Sequence, residues 1–354
     1  MKRDDVQSAR FMKSNPEPES TLSPWERVDW QALARLRARF LDESGAGGDY
    51  WTSETDLDSY DLTFGQRIAW KWLHVLGELE AVGWEPPSGE VLDWGCGSGV
   101  AGRVFCKNYA TVGLPRLNLW DRSSLAARFA EARARERLEG VRVGLGVPSE
   151  GRFTVLFSHV LTELDADRMK EAIELARRAE AVVCVEPGTY GASRRLIHFR
   201  EALRDEFQVI APCTHQSPCG MLEPENTEHW CHHFAWPPSE VFTDPDWARF
   251  AAFMGIDLRG LPVSYLVLDR RPAPARLAGA ARWIGRARIC KPHAQVLGCE
   301  AEGLRELRLT KRRFPALYKH LKKENLPPWV HWTAEGDEAI QVTPVVRLGE
   351  ESED

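Results

Sequence analysis

The stretch Val91-Leu92-Asp93-Trp94-Gly95-Cys96-Gly97-Ser98-Gly99 decides how this chain of 354 residues is read. A short apolar run ends on an acid, glycine recurs at every second position, and a helical pattern follows from Arg103 to Ala110. Glycine lets the backbone turn sharply and approach a ligand with no Cβ in between. The N-terminus of the following helix offers free N–H groups beside that turn. The pattern D-x-G-x-G-x-G therefore predicts a strand, a tight turn and a helix that together cradle a nucleoside.

Working outward, apolar runs at Val91–Trp94, Leu117–Trp120, Val141–Leu145, Phe153–Phe157 and Val182–Glu186 read as strands. Helical patterns such as Ser124 to Glu136 and Ala166 to Ala179 lie between them. This rhythm predicts a mostly parallel sheet covered on both faces. Phe207–Ala211 and Val263–Leu268 supply a sixth and a seventh strand, giving a Rossmann-like α/β fold with a seven-stranded sheet. The roughly 50 residues between those two exceed a simple connection. The expected organisation is a disordered tail (1–20), a helical N-terminal segment (21–84) and a core (85–270) with an insertion at 211–260. A basic C-terminal extension (271–325) and a tail (326–354) follow. Within the N-terminal segment, helical spacing covers 24 to 45 and 64 to 82.

The glycine spacing resembles motif I of class I methyltransferases, whose loop holds the methionine and ribose parts of S-adenosylmethionine. That resemblance implies a cofactor site at Asp93, Gly95, Gly97 and Gly99. Asp121, closing the next strand, can accept both ribose hydroxyls, as acids at this site do in dinucleotide folds. Ligands of open α/β sheets sit beyond the carboxyl ends of the strands. Ser158 and His159, after the fourth strand, should border the methyl group, and Glu186 ends the fifth. These three are the candidate catalytic residues. No Asn/Asp-Pro-Pro-aromatic device for gripping an exocyclic amine follows the fourth strand. Cys213 follows the sixth strand among other cysteines, which points to ligation rather than nucleophilic catalysis.

Composition sets the outer limits. No apolar run reaches the ~18 residues of a membrane span, and the N-terminus lacks a signal-peptide core, so a cytoplasmic protein is expected. Net charge is −6, yet Arg270 to Glu324 holds 15 Lys/Arg against 4 Asp/Glu. An acidic body with such a basic stretch suggests a polyanion partner, RNA before membrane.

Eight cysteines without an export signal argue against disulfides. Cys96, Cys106 and Cys184 read as packing residues. Cys213, Cys219 and Cys231 fall inside the insertion, interleaved with His215, His229, His232 and His233, and Cys290 and Cys299 lie downstream. A polar loop has little apolar surface to bury, so a metal would supply its stability. Zinc would accept three or four thiolates, and an iron–sulfur cluster four; spacing alone leaves both open.

The run Ala211-Pro212-Cys213-Thr214-His215-Gln216-Ser217-Pro218-Cys219, followed by Trp230-Cys231-His232-His233-Phe234, resembles the hallmark of the family of the mitochondrial small-ribosomal-subunit assembly methyltransferase-like protein. Arg286-Ala287-Arg288-Ile289, Lys291-Pro292-His293, Cys299 through Gly303 and Thr310-Lys311-Arg312 follow that family's closing block in order. Gly220 and the extra His233 depart from its pattern. The resemblance covers about residues 60 to 325. It implies a [4Fe-4S] cluster on Cys213, Cys219, Cys231 and Cys299, with Cys299 preferred to Cys290 because Glu302-Gly303 follows it. It also implies association with the small ribosomal subunit and its RNA, through the basic segment 270–324. Two other readings stand beside it: a conventional RNA or small-molecule methyltransferase with structural zinc, and a non-catalytic RNA-binding scaffold.

Overall fold

A computed structural model describes residues 23–41, 50–323 and 327–345. The expected tail at 1–20 lies outside the described residues. The core sheet uses β1 (Glu90–Trp94), β2 (Arg116–Trp120), β3 (Arg142–Leu145), β4 (Phe153–Ser158), β5 (Ala181–Pro187), β6 (Gln208–Ala211), β7 (His233–Ala235) and β8 (Leu261–Asp269). Its order is β3-β2-β1-β4-β5-β8-β6, with β7 added to one end of β8. The first five strands in this order pair in parallel, and β8 runs antiparallel to both β5 and β6. This is the Rossmann-like methyltransferase fold, with eight strands where seven were expected; the extra one lies inside the insertion.

Side-chain alternation explains the layering. Val91, Val183 and Val267 join one apolar cluster with α3 (Gln66–Val82) and α4 (Val100–Asn108). Their neighbours Leu92, Val182 and Leu268 join another with α6 (Ala166–Arg178) and α7 (Tyr190–Leu203). The remaining described helices are α1 (Trp30–Leu41), α2 (Glu54–Tyr60), α5 (Ser124–Arg137), α8 (Pro245–Met254) and α9 (Pro315–Lys322). A five-residue π-turn, Asp61–Gly65, joins α2 to α3. Helix α2 falls inside the expected helical segment 21–84, between the two helical patterns at 24–45 and 64–82.

Beyond β8 the expected extension and tail are one closed barrel. Its strands are β9 (Ala281–Ile289), β10 (His293–Glu300), β11 (Gly303–Thr310), β12 (Trp329–Glu335) and β13 (Glu338–Pro344), in the order β10-β11-β13-β12-β9. The reading of 326–354 as a tail is thus corrected: 329–344 forms two strands. Ala294, Val296, Leu307 and Leu309 fill the barrel with Tyr318 and Leu321 of α9. Arg282 of β9 locks it to the core. This guanidinium is buried and donates to Glu78 of α3, with N–O distances of 3.0 and 3.1 Å. Tyr265 of β8 donates its hydroxyl to the same carboxylate. Trp329 Nε1 donates to the carbonyl of Pro212, 3.0 Å away.

Candidate functional site

At the carboxyl ends of β1, β2 and β4 opens a cavity of about 400 Å³. Tyr50, Trp51, Tyr60, Trp94 and Trp120 give it aromatic walls, and Trp94 and Trp120 stack with centroids 4.8 Å apart. Gly95 and Gly97 line it, and Gly95 shows why the loop needs glycine. Its φ is +71°, and a Cβ there would stand 2.5 Å from Val160 Cγ2. Asp121 ties the loop to β2: its carboxylate accepts the Gly97 and Ser123 N–H groups, each at 2.8 Å. A carboxylate has about four acceptor sites, which leaves capacity for ribose hydroxyls.

Asp93 and Gly99 are not among the walls. Asp93 is fully buried and accepts the Gly102 N–H at 2.8 Å, so it anchors α4 beneath the loop. Burial pushes its pKa up to about 7. Gly99 lies against Ala130, which a Cβ would meet at 2.7 Å. The N-terminal segment braces the loop from the other side. Asp61 in the π-turn pairs with Arg103 at 2.5 Å, and Arg103 donates to the Ser98 carbonyl at 2.6 Å.

Ser158 and His159 both line the cavity. Ser158 accepts the Trp72 indole N–H at 2.9 Å. His159 has φ of +55°, rare for a residue with a Cβ, and its Nε2 lies 3.4 Å from Lys71 Nζ. Burial and the Lys71 charge hold His159 well below the usual imidazole range, so it is neutral. Burial likewise lowers Lys71 to about 7. Glu186 is absent from the walls. It is fully buried, its Oε1 accepts the Val160 and Leu161 N–H groups at 3.1 Å each, and burial pushes it up to about 8. Two functional positions were missed in the sequence. Lys71 reads as an ordinary polar residue of α3. Glu163 also lines the cavity and accepts from the Tyr50 hydroxyl at 3.3 Å.

The cysteines form a second centre across α7. Cys219 and Cys299 share one apolar cluster, with Cys231 packed against it. Pro212, Cys213, Cys219 and Cys231 line one small crevice. Cys213 raises the proton affinity of Cys219, Cys231 and Cys299, Cys219 that of Cys231 and Cys299, and Cys231 that of Cys299, which requires proximity. Burial, then Cys213, lifts Cys219 to about 11. Cys290 takes no part; its backbone closes a barrel turn with His293. Arg200 of α7 shapes the first loop by donating to the carbonyls of His215 and Ser217, at 3.2 and 3.0 Å. Gly220, the departure from the family pattern, has a reason: its backbone packs on Gly303, whose Cα a Cβ would meet at 3.0 Å. That contact brings Cys219 to the strand end holding Cys299. Cys299 Sγ also lies 3.5 Å from His215 Nε2, and Cys231 Sγ 3.8 Å from His233 Nε2. Among the described residues, no group of three or more His, Cys, Asp or Glu stands in position to hold a single metal ion.

Fold and pocket together define a methyltransferase-like protein. The family model described as mitochondrial small ribosomal subunit Rsm22 matches residues 121–326, more than half of the chain. The chain belongs to the Rsm22 family. No curated protein matches it. Among solved structures it is similar to a protein of Thermoplasma acidophilum, at 14% identity over 58% of this chain and 96% of that one, with a TM-score of 0.33. A Pyrococcus horikoshii protein assigned provisionally as an RNA methyltransferase shows 12% identity over 76% and 98%, with a TM-score of 0.36. The plantazolicin methyltransferase BamL shows 10% over 69% and 100%, with a TM-score of 0.38. At this level of likeness no substrate or partner is transferred from them. No helix among the described residues is long and apolar enough to cross a membrane.

Proposed function

We propose that this protein binds S-adenosylmethionine in the aromatic cavity and serves small-ribosomal-subunit assembly in the cytoplasm, docking on ribosomal RNA through the basic segment 270–324. The observation that carries the nucleoside reading is Asp121. It holds the Gly97 amide and faces a cavity of nucleoside size. Gly95 and Gly97 would approach the methionine and ribose parts, with Asp93 and Gly99 keeping the loop's shape. Ser158 and His159 would border the methyl group. Transfer needs no strong base for an already nucleophilic acceptor.

The four cysteines fit a [4Fe-4S] cluster as residues. They are thiols only, they come from two segments far apart in sequence, Cys219 and Cys299 are buried, and the neighbouring cations Arg200 and Arg282 favour thiolate. Bound there, the cluster would supply cross-linking between the insertion and the barrel. The family's association with the small ribosomal subunit and the excess of Lys/Arg support the RNA role.

Two measurements test the proposal. Calorimetry with S-adenosylmethionine should show stoichiometric binding; no heat in a folded sample rejects the nucleoside reading and favours a scaffold. Anaerobic purification should give brown protein with iron and acid-labile sulfide. Colourless protein with stoichiometric zinc would replace the cluster.

A further inference from the structure

The C-terminal barrel has a connectivity with chemical meaning. Numbering its strands one to five along the chain, the closed order is 1-2-3-5-4-1. The third and fifth run parallel (Arg308 opposite Glu338), and helix α9 sits in the crossover from the third to the fourth. This is the connectivity of the OB barrel, a Greek-key scaffold that holds oligonucleotides or oligosaccharides on the face of its second and third strands and the loops beside it.

That face carries charge in register. Arg288 of β9 stands opposite Gln295 of β10, and Gln295 opposite Arg308 of β11. Alternation sends Val296, Leu307 and Leu309 inward and this row outward; Arg288 and Arg308 are exposed. The row spans two strand spacings, about 10 Å. At its end lie exposed Lys291, in the loop between the first two strands, and exposed Lys311, Arg312 and Arg313 after the third. The Lys311 N–H donates to the Pro292 carbonyl, so the two groups of cations are joined. His293, two residues before Gln295 and so on the same face, flanks the row with aromatic surface. The opposite boundary is acidic: Asp337 and Glu338, in the turn from fourth to fifth strand and just after it, meet Arg308 at 3.0 Å and Arg313 at 4.0 Å.

We infer that the barrel is a grip for single-stranded RNA, laid across β9, β10 and β11 with its phosphates along Arg288, Arg308 and Lys311. This rests on the RNA role proposed above and adds the strand state and the face. A row of guanidiniums suits a polyanion rather than a neutral sugar. The acidic turn confines that charge to one narrow track, where a single strand can splay a base onto His293. A duplex keeps its bases stacked and meets the track with phosphates alone.

The test is fluorescence anisotropy of the full-length protein with an unstructured RNA of about 12 nucleotides, within the ~4–16 that one such barrel covers. A duplex of the same sequence and polyglutamate of matched charge complete the set. The single strand should bind at least tenfold tighter than the duplex. The double variant R288Q/R308Q should lose tenfold or more and flatten the logarithmic salt slope by about 1.4, two contacts at ~0.7 each. Q295E, which places a negative charge mid-row, should also weaken binding, with both variants melting near the wild type. The control R128Q/R142Q, exposed arginines of the core, should change affinity less than twofold. Equal binding of duplex and single strand, or barrel variants no weaker than the control, overturns the inference while leaving the RNA role standing. Polyglutamate bound as tightly as RNA overturns it in favour of an acidic protein segment. No binding of either RNA removes the RNA role itself.

Discussion

Replacing Asp121 by Asn isolates what the acid at the end of β2 does. The side chains share a shape, but the amide has one acceptor end and one donor end. In the wild type both carboxylate oxygens accept backbone N–H groups, from Gly97 and Ser123, each at 2.8 Å. Whichever way Asn turns, an N–H donor faces another donor. One hydrogen bond to a charged group is lost, about 1.5–3 kcal/mol. The free protein relieves the clash by letting the glycine loop open, so the cost falls when cofactor closes it. That corresponds to a roughly 10- to 100-fold weaker Kd for S-adenosylmethionine; the lost ribose acceptor adds to it. Calorimetry on the full-length variant measures this, with a melting curve to show an intact fold. A folded D121N whose Kd stays within threefold of the wild type would refute the reasoning, because the loop would not depend on that carboxylate.

Four further outcomes follow from the geometry. Burial raises Glu186 from 4.5 to about 8, so the native state keeps a proton that the unfolded chain gives up. This stabilisation is complete at low pH and disappears as pH rises through 8. Glu186→Gln keeps the carbonyl acceptor for Val160 and Leu161 and should flatten the fall in Tm between pH 5 and 8, whereas parallel Tm curves would exclude the effect. Glu78→Ala leaves Arg282 buried and unpaired and should cost about 3–5 kcal/mol, read as a denaturant-midpoint shift; less than 1 kcal/mol would show that the joint is not electrostatic. Cys219→Ser, Cys231→Ser and Cys299→Ser should each lose metal and lower Tm while Cys290→Ser matches the wild type, and wild-type metal content in all four would dissolve the cysteine centre. Charge reversal at Lys311 and Arg312 should weaken RNA binding and flatten its salt dependence, and an unchanged slope would place the RNA elsewhere.

Every strand of the sheet that the alternation of apolar runs announced has its counterpart in the fold, because parallel strands buried on both faces read as continuous Val/Leu/Ile runs. The glycine loop was legible for the same local reason: positive φ at Gly95, Gly97 and Gly99 leaves a mark in composition. The barrel was not. Its strands bury one side only and carry Arg or Glu on the other, so Arg286-Ala287-Arg288 read as a charged stretch. The two strands at 329–344 are short, polar on one face and joined by a two-residue turn. Lys71 escaped because its significance comes from His159, 88 positions away. The gathering of Cys299 with the insertion cysteines likewise depends on a backbone contact between Gly220 and Gly303 that no spacing rule encodes.

The Arg282–Glu78 joint sets a lower bound on the autonomous folding unit. A chain ending at Asp269 would retain every residue around the cavity, yet Glu78 would lose the Arg282 guanidinium, and the Pro212 carbonyl its indole donor. Such a fragment has a carboxylate deprived of its cation and a bare flank where β9 and β12 had packed. Truncation at this joint therefore costs the half that holds the cavity a buried ion pair and an indole hydrogen bond.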